Sequence, residues 1–229
     1  GCAGGSNAAA TALALGSLDS GIQAWDDSYT LPCNGTAPRE ASDVLLIRHA
    51  SARTTAPSAG RVQLAVNPSG GQLFDDGNAP AINNPSEIRD VVVHIYYIGE
   101  SSFDPATPAL RRLRLADGGG AGRLEDQEII PGIENLQVQF GLDADGNGEV
   151  ERYVDSNDAA AVAGARVVAV RLWLLVRSDS SEAGIGFVDN ASYQPADADL
   201  PPITAGADYP AGFRRIAVSK TIFLRNGVN

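Results

Sequence analysis

Apolar and polar side chains alternate strictly in two stretches of the chain. At 135–142, Leu136, Val138, Phe140 and Leu142 fall on one face, and Asn135, Gln137 and Gln139 fall on the other. A period of two predicts a β-strand with one face on a core and one in water. At 166–178 the even positions Val168, Val170, Leu172, Leu174 and Val176 are all apolar, while Arg171, Trp173 and Arg177 share the odd face. This is the strongest strand signal in the chain. Residues 90–98 are β-branched or aromatic on both faces, the composition of a strand central in a sheet. Shorter apolar runs at 44–49, 61–66, 110–115 and 124–130 predict further strands. They are punctuated by a turn cluster at Asn67-Pro68-Ser69-Gly70 and a flexible connection at 117–122. Residues 149–154 are placed to return antiparallel to 135–142. The run 213–225 puts Ile216, Val218, Ile222 and Leu224 on a last inward face.

Residues 1–42 read as an irregular lead-in, in which only 8–15 suits a helical turn. Residues 179–212 read as a long loop rich in Asp, Ala, Gly and Pro. No repeat and no clean linker divides the chain. The expectation is therefore one domain over 1–229, a lead-in followed by a β-rich head at 43–229. The fold class is mainly β, with antiparallel sheets joined by long loops.

At 229 residues the chain is long enough to bury a sizeable core, and 44% hydrophobic with 20% charged residues argues against wholesale disorder. A net charge of -11 excludes a nucleic-acid partner, which needs a basic footprint. No stretch reaches the roughly 20 apolar residues of a membrane-spanning helix. The chain opens without methionine at Gly1-Cys2-Ala3-Gly4 and reads as a fragment or processed product whose start lies upstream. Cys2 and Cys33 are the only cysteines. A disulfide between them is expected, contributing roughly 3 kcal/mol and implying an oxidising compartment. Two free buried thiols are the alternative.

The 135–142 strand runs into Asp143-Ala144-Asp145-Gly146-Asn147-Gly148. Asp143, Asp145 and Asn147 hold the first, third and fifth positions of a calcium-loop pattern, with Gly148 at the sixth. The twelfth position, where a bidentate Glu is required, is Val154. This is therefore no EF-hand, but a simpler Ca²⁺ site could be completed by Glu149, Glu151 or Asp155. The alternative is a plain hairpin whose Asp-Gly and Asn-Gly pairs supply positive φ. His49 and His94 are the only histidines, both in strand contexts, and neither sits in a nucleophile motif. The Asp pairs at 26–27 and 75–76 read as loop charges. Enzymatic activity has no positive support, and no cofactor is required.

Four stretches carry a family resemblance. They are Gly1-Cys2-Ala3-Gly4, Ser42-Asp43-Val44-Leu45-Leu46-Ile47-Arg48, residues 131–148, and Gly212-Phe213-Arg214-Arg215 through Thr221-Ile222-Phe223-Leu224-Arg225-Asn226. In these the chain resembles the PilW family of type IV pilus minor pilins and, more distantly, the J-type minor pseudopilins of type II secretion. Loops 51–85 and 179–211 lie outside the likeness. The resemblance implies a pilin-like α+β head whose sheet packs on an N-terminal apolar helix. That helix, missing here, would anchor the subunit in the inner membrane of a Gram-negative bacterium before assembly. It further implies partnership with other minor pilins, the major pilin and a tip adhesin, in a non-enzymatic complex that primes the pilus and ends at its extracellular tip. Adhesion and twitching motility are the processes such a tip serves. The competing readings are a pseudopilin and a secreted carbohydrate-binding β-module using Trp25 or Trp173.

Overall fold

The computed structural model describes residues 21–27, 29, 37–82, 87–119, 122–158 and 166–228. The helical turn expected at 8–15 and the Cys2–Cys33 disulfide lie outside the described residues. No helix among them is long and apolar enough to cross a membrane.

The first seven strands form one antiparallel sheet: β1 (Ile22–Trp25), β2 (Val44–Thr54), β3 (Ala59–Asn67), β4 (Gly70–Asp76), β5 (Glu87–Glu100), β6 (Pro108–Ala116) and β7 (Arg123–Pro131). As its two apolar faces require, β5 is central. It pairs with β2 along one edge and divides its other edge between β3 and β6. Val91, Val93, Ile95 and Tyr97 enter one core with Val44, Leu46, Val62, Leu113 and Leu124, while Ile98 and Leu45 enter the other.

The second sheet follows in the chain. It contains β8 (Ile133–Asp143), β9 (Arg152–Asp155), β10 (Arg166–Arg177) and, after a short ladder of β11 (Ser192–Tyr193) with β12 (Ile203–Thr204), the last strand β13 (Arg215–Val228). Their order is β13-β10-β8-β9. Gly132 makes the switch between sheets. Its φ of 82° is open to glycine at no steric cost, its N–H donates to the Pro108 carbonyl, and its own carbonyl accepts from Arg177 N–H. The acidic turn joins β8 to β9 as an antiparallel hairpin, with Leu142 opposite Arg152.

Several expectations are corrected. The lead-in contains a strand, β1, paired with β2 from Ile22 opposite Ile47 to Trp25 opposite Val44. Four residues cannot display a period; the ladder with β2 creates the strand. Likewise β4 hides behind Gly70, Gly71, Asp75 and Asp76 and exists as the partner of β3. The 179–212 loop contains the β11–β12 ladder and a 3₁₀ turn at Ala183–Ile185.

The two strict alternations also fare differently from expectation. The polar face of β8 is not solvated, because Asn135 and Gln137 are fully buried. Both donate to the carbonyl of Ala41, and Asn135 also reaches the hydroxyl of Tyr209, so residues 37–43 and the 179–212 loop roof that face. In β10 a bulge at Val168 shifts the register, so Val167 joins Val170 in the core between the sheets, while Val168 is buried outside that cluster. Finally, β13 is an edge strand. Ile216, Val218 and Ile222, expected to point inward, are 61%, 43% and 46% exposed.

Candidate functional site

The motif stretches converge on β8. Ser42 and Asp43 clasp it from the roof: the Leu136 carbonyl accepts from Asp43 N–H and from Ser42 Oγ, Ser42 Oγ accepts from Leu136 N–H, and Asp43 Oδ2 accepts from Val138 N–H. From the other motif, Arg215 at the start of β13 meets the fully buried Glu134. Both of its nitrogens Nε and Nη2 donate to that carboxylate, and its Nη1 lies 2.9 Å from Asp189. Arg177 adds a longer contact to Glu134 and stacks its guanidinium on Phe213. Sequence reading missed this cluster. Its signal was a glutamate inside a strand pattern and a double arginine before another, residues 81 apart.

Between the sheets opens a cleft of about 300 Å³. Leu45 and Ile47 of β2, Tyr96 of β5 and Leu110 of β6 form one wall. Leu136 of β8, Leu172 and Leu174 of β10, and Ile222 and Leu224 of β13 form the other. Apart from the Tyr96 hydroxyl, the named lining is hydrocarbon. On the apolar face of β10, Leu172, Leu174 and Val176 are thus only half-buried, whereas Trp173 and Leu175 on its odd face are closed over. Ile216, Val218 and Ile222 continue the apolar surface along the free edge of β13.

The acidic turn is closed by its own hydrogen bonds. Asp143, buried at the end of β8, accepts from the amides of Gly146 and Gly148 and pairs with Arg166 Nη1 at 3.0 Å. Burial would raise its pKa, but the Gly148 and Gly146 amides and Arg166 hold it below the usual range. Asp145 accepts from Asn147, Asn147 from the Glu149 amide, and Glu151 from the Ala144 amide. Gly146 and Gly148 have φ of 82° and 88°, as the hairpin alternative requires. Asp143, Asp145 and Glu151 come close enough to share an ion. Asn147 and Glu149 are exposed members of the turn. Asp155, also expected here, accepts instead from Gln139 and from the Ala198 amide, at a second acidic cluster.

That second cluster gathers Asp26, Asp43 and Asp197, with Asp27, Asp155 and Asp199 near enough to act on them electrostatically. Burial, reinforced by neighbouring carboxylates, pushes Asp26 up to about 6. It pushes Asp43 up to about 8, despite amide bonds from Asp27 and Val138. The Asp26–Asp27 pair, read as plain loop charge, is part of this site.

The remaining candidates are dispersed. His49 is exposed, and His94 is half-buried, edge-on to Tyr96. Trp173 is 5% exposed, and Trp25 stacks on Tyr29 against the core of the first sheet.

Comparison with curated proteins and with solved structures gives no significant match. A family model described as Type IV Pilus-assembly protein W matches residues 95–226, more than half of the chain. That span takes in the Glu134–Arg215 lock, the acidic turn and most of the cleft. The chain belongs to the PilW family of type IV pilus assembly proteins.

Proposed function

We propose that this chain is the globular head of a minor pilin that acts without catalysis in a pilus-tip complex. In this reading, the cleft between the sheets receives the N-terminal helix by which the subunit enters the filament. The observation that carries it is the half-buried aliphatic surface of Leu172, Leu174 and Val176 on β10 with Ile222 on β13, in a sheet whose opposite face is roofed over Asn135 and Gln137 of β8. Ile22, at the start of β1, also lines the cleft. A helix is the natural occupant, since it carries no unsatisfied backbone into an apolar slot. Among the described residues no strand pairs with the outer edge of β13, which with its exposed Val218 and Phe223 offers a neighbouring subunit apolar area and backbone groups. Other minor pilins, the major pilin and a tip adhesin are the partners. The inner membrane and later the pilus tip are the locations, as the family resemblance implies.

Ile222→Lys tests this. The side chain is already half exposed, so the isolated head is expected to melt within about 2 °C of wild type. Returned to a strain lacking the gene, the variant is expected to restore no surface pili although the wild type restores them. Full piliation by Ile222→Lys would refute the assembly role of the cleft. Restoration of protein secretion instead of piliation would favour the pseudopilin reading.

A further inference from the structure

Where β1 ends and β2 begins, separate chain segments bring carboxylates together with no base to answer them. Asp26 follows β1, Asp43 precedes β2, and Asp197 lies in the loop between β11 and β12. One oxygen from each falls within 4.8 Å of the other two. That is about twice a calcium–oxygen bond of roughly 2.3–2.6 Å, so the three can share one centre. Among the described residues, no ion pair joins any of them to an arginine, lysine or histidine.

A second observation comes from the orphaned oxygens. Asp197 is 6% exposed, its Oδ1 accepts from the amides of Asp199 and Leu200, and its Oδ2 is buried with no hydrogen-bond partner. Oδ1 of Asp26 and Oδ1 of Asp27 are buried and unpartnered as well. Asp43 is 1% exposed and each of its oxygens accepts a single amide, which leaves a lone pair on both. Buried carboxylate oxygens without donors are strongly unfavourable unless a positive charge meets them.

We propose that Asp26, Asp43 and Asp197, with Asp27 and Asp155 beside them, bind a calcium ion. An all-oxygen, anionic donor set carried on loops suits a hard cation that tolerates irregular geometry, which favours Ca²⁺ over Mg²⁺. The ion ties the lead-in after β1 and the segment before β2 to the β11–β12 loop. The site is separate from the 143–151 turn, where Arg166 already neutralises Asp143.

Melting in excess calcium against chelator tests this in wild type, Asp197→Asn and Asp145→Ala. A rise of roughly 5–10 °C at calcium a hundredfold above Kd is expected in wild type and Asp145→Ala, and its loss in Asp197→Asn. No rise in wild type, or a rise that survives Asp197→Asn, overturns the proposal. So does a rise that disappears in Asp145→Ala, which would place the ion in the turn. Terbium luminescence keeps the cluster intact. Trp25 precedes Asp26 and sensitises an ion held there, so calcium-reversible emission that Trp25→Phe loses is expected. Emission unchanged by Trp25→Phe overturns the site.

Discussion

Glu134 and Arg215 show how single residues hold this molecule together. Both side chains are essentially sealed from solvent, and the arginine serves two carboxylates at once. Removing one partner of such a pair leaves a buried charge unanswered, typically costing 3–5 kcal/mol. Arg215→Ala is therefore expected to lower unfolding stability by about that much, read by urea titration. Arg215→Lys should recover only part of it, since an ammonium cannot make the two-pronged contact. Asp43 yields a prediction of opposite electrostatic sense. Its folded pKa, raised by burial to about 8, exceeds the unfolded value of about 3.9. The folded state thus holds this proton more tightly, and the associated stability is complete below about pH 4 and lost as pH rises through about 8. Asp26, Asp27 and Asp197 lie near it, and burial and neighbouring acids, Asp155 and Asp199 among them, raise all three. Above pH 7, His94 is neutral, because burial and the nearby Arg112 depress its pKa. With chelator present, melting temperature should fall between pH 7 and 8 and level off above, and Asp43→Asn should flatten that slope. An unchanged slope in Asp43→Asn would show that Asp43 is not the titrating group.

At the scale of elements, the junction of β7 and β8 decides the layering. Gly132 turns the chain from one sheet into the next with positive φ, and a Cβ there would come within 3.1 Å of the Arg177 carbonyl. Gly132→Ala is expected to cost about 1–2 kcal/mol, the penalty of that backbone region for a side chain, measurable by the same titration. Element boundaries were legible where periodicity was long, as in β8 and β10. They were not where a strand is short or masked by turn residues. β1 and β4 are strands because a neighbouring backbone offers them hydrogen bonds, and four to seven residues carry too little pattern to announce it.

For the molecule as a whole, the lesson lies in which faces are covered. Alternation along β8 and β10 correctly separated apolar from polar sides, yet the polar side is the roofed one and the apolar side of β10 the half-open one. The roof comes from residues 37–43 and 179–212, whose Ala41 carbonyl and Tyr209 hydroxyl accept from the buried side-chain NH2 groups of Asn135 and Gln137. These acceptors lie 74 to 96 residues away in the chain, so no local pattern announces them. The open apolar face leads to the assembly proposal, and the Ile222→Lys experiment belongs at this scale.

Local sequence by itself determined the mainly β character, the central place of residues 90–98, the acidic hairpin and the family likeness. Each rests on side-chain period or on residues adjacent in the chain. Only the tertiary structure decided that Glu134 meets Arg215, that Asp155 leaves the turn for Asp26 and Asp197, and that β13 lies open at an edge. Those outcomes depend on segments tens to more than a hundred residues apart, whose meeting is governed by sheet order and loop path rather than by any neighbour in sequence.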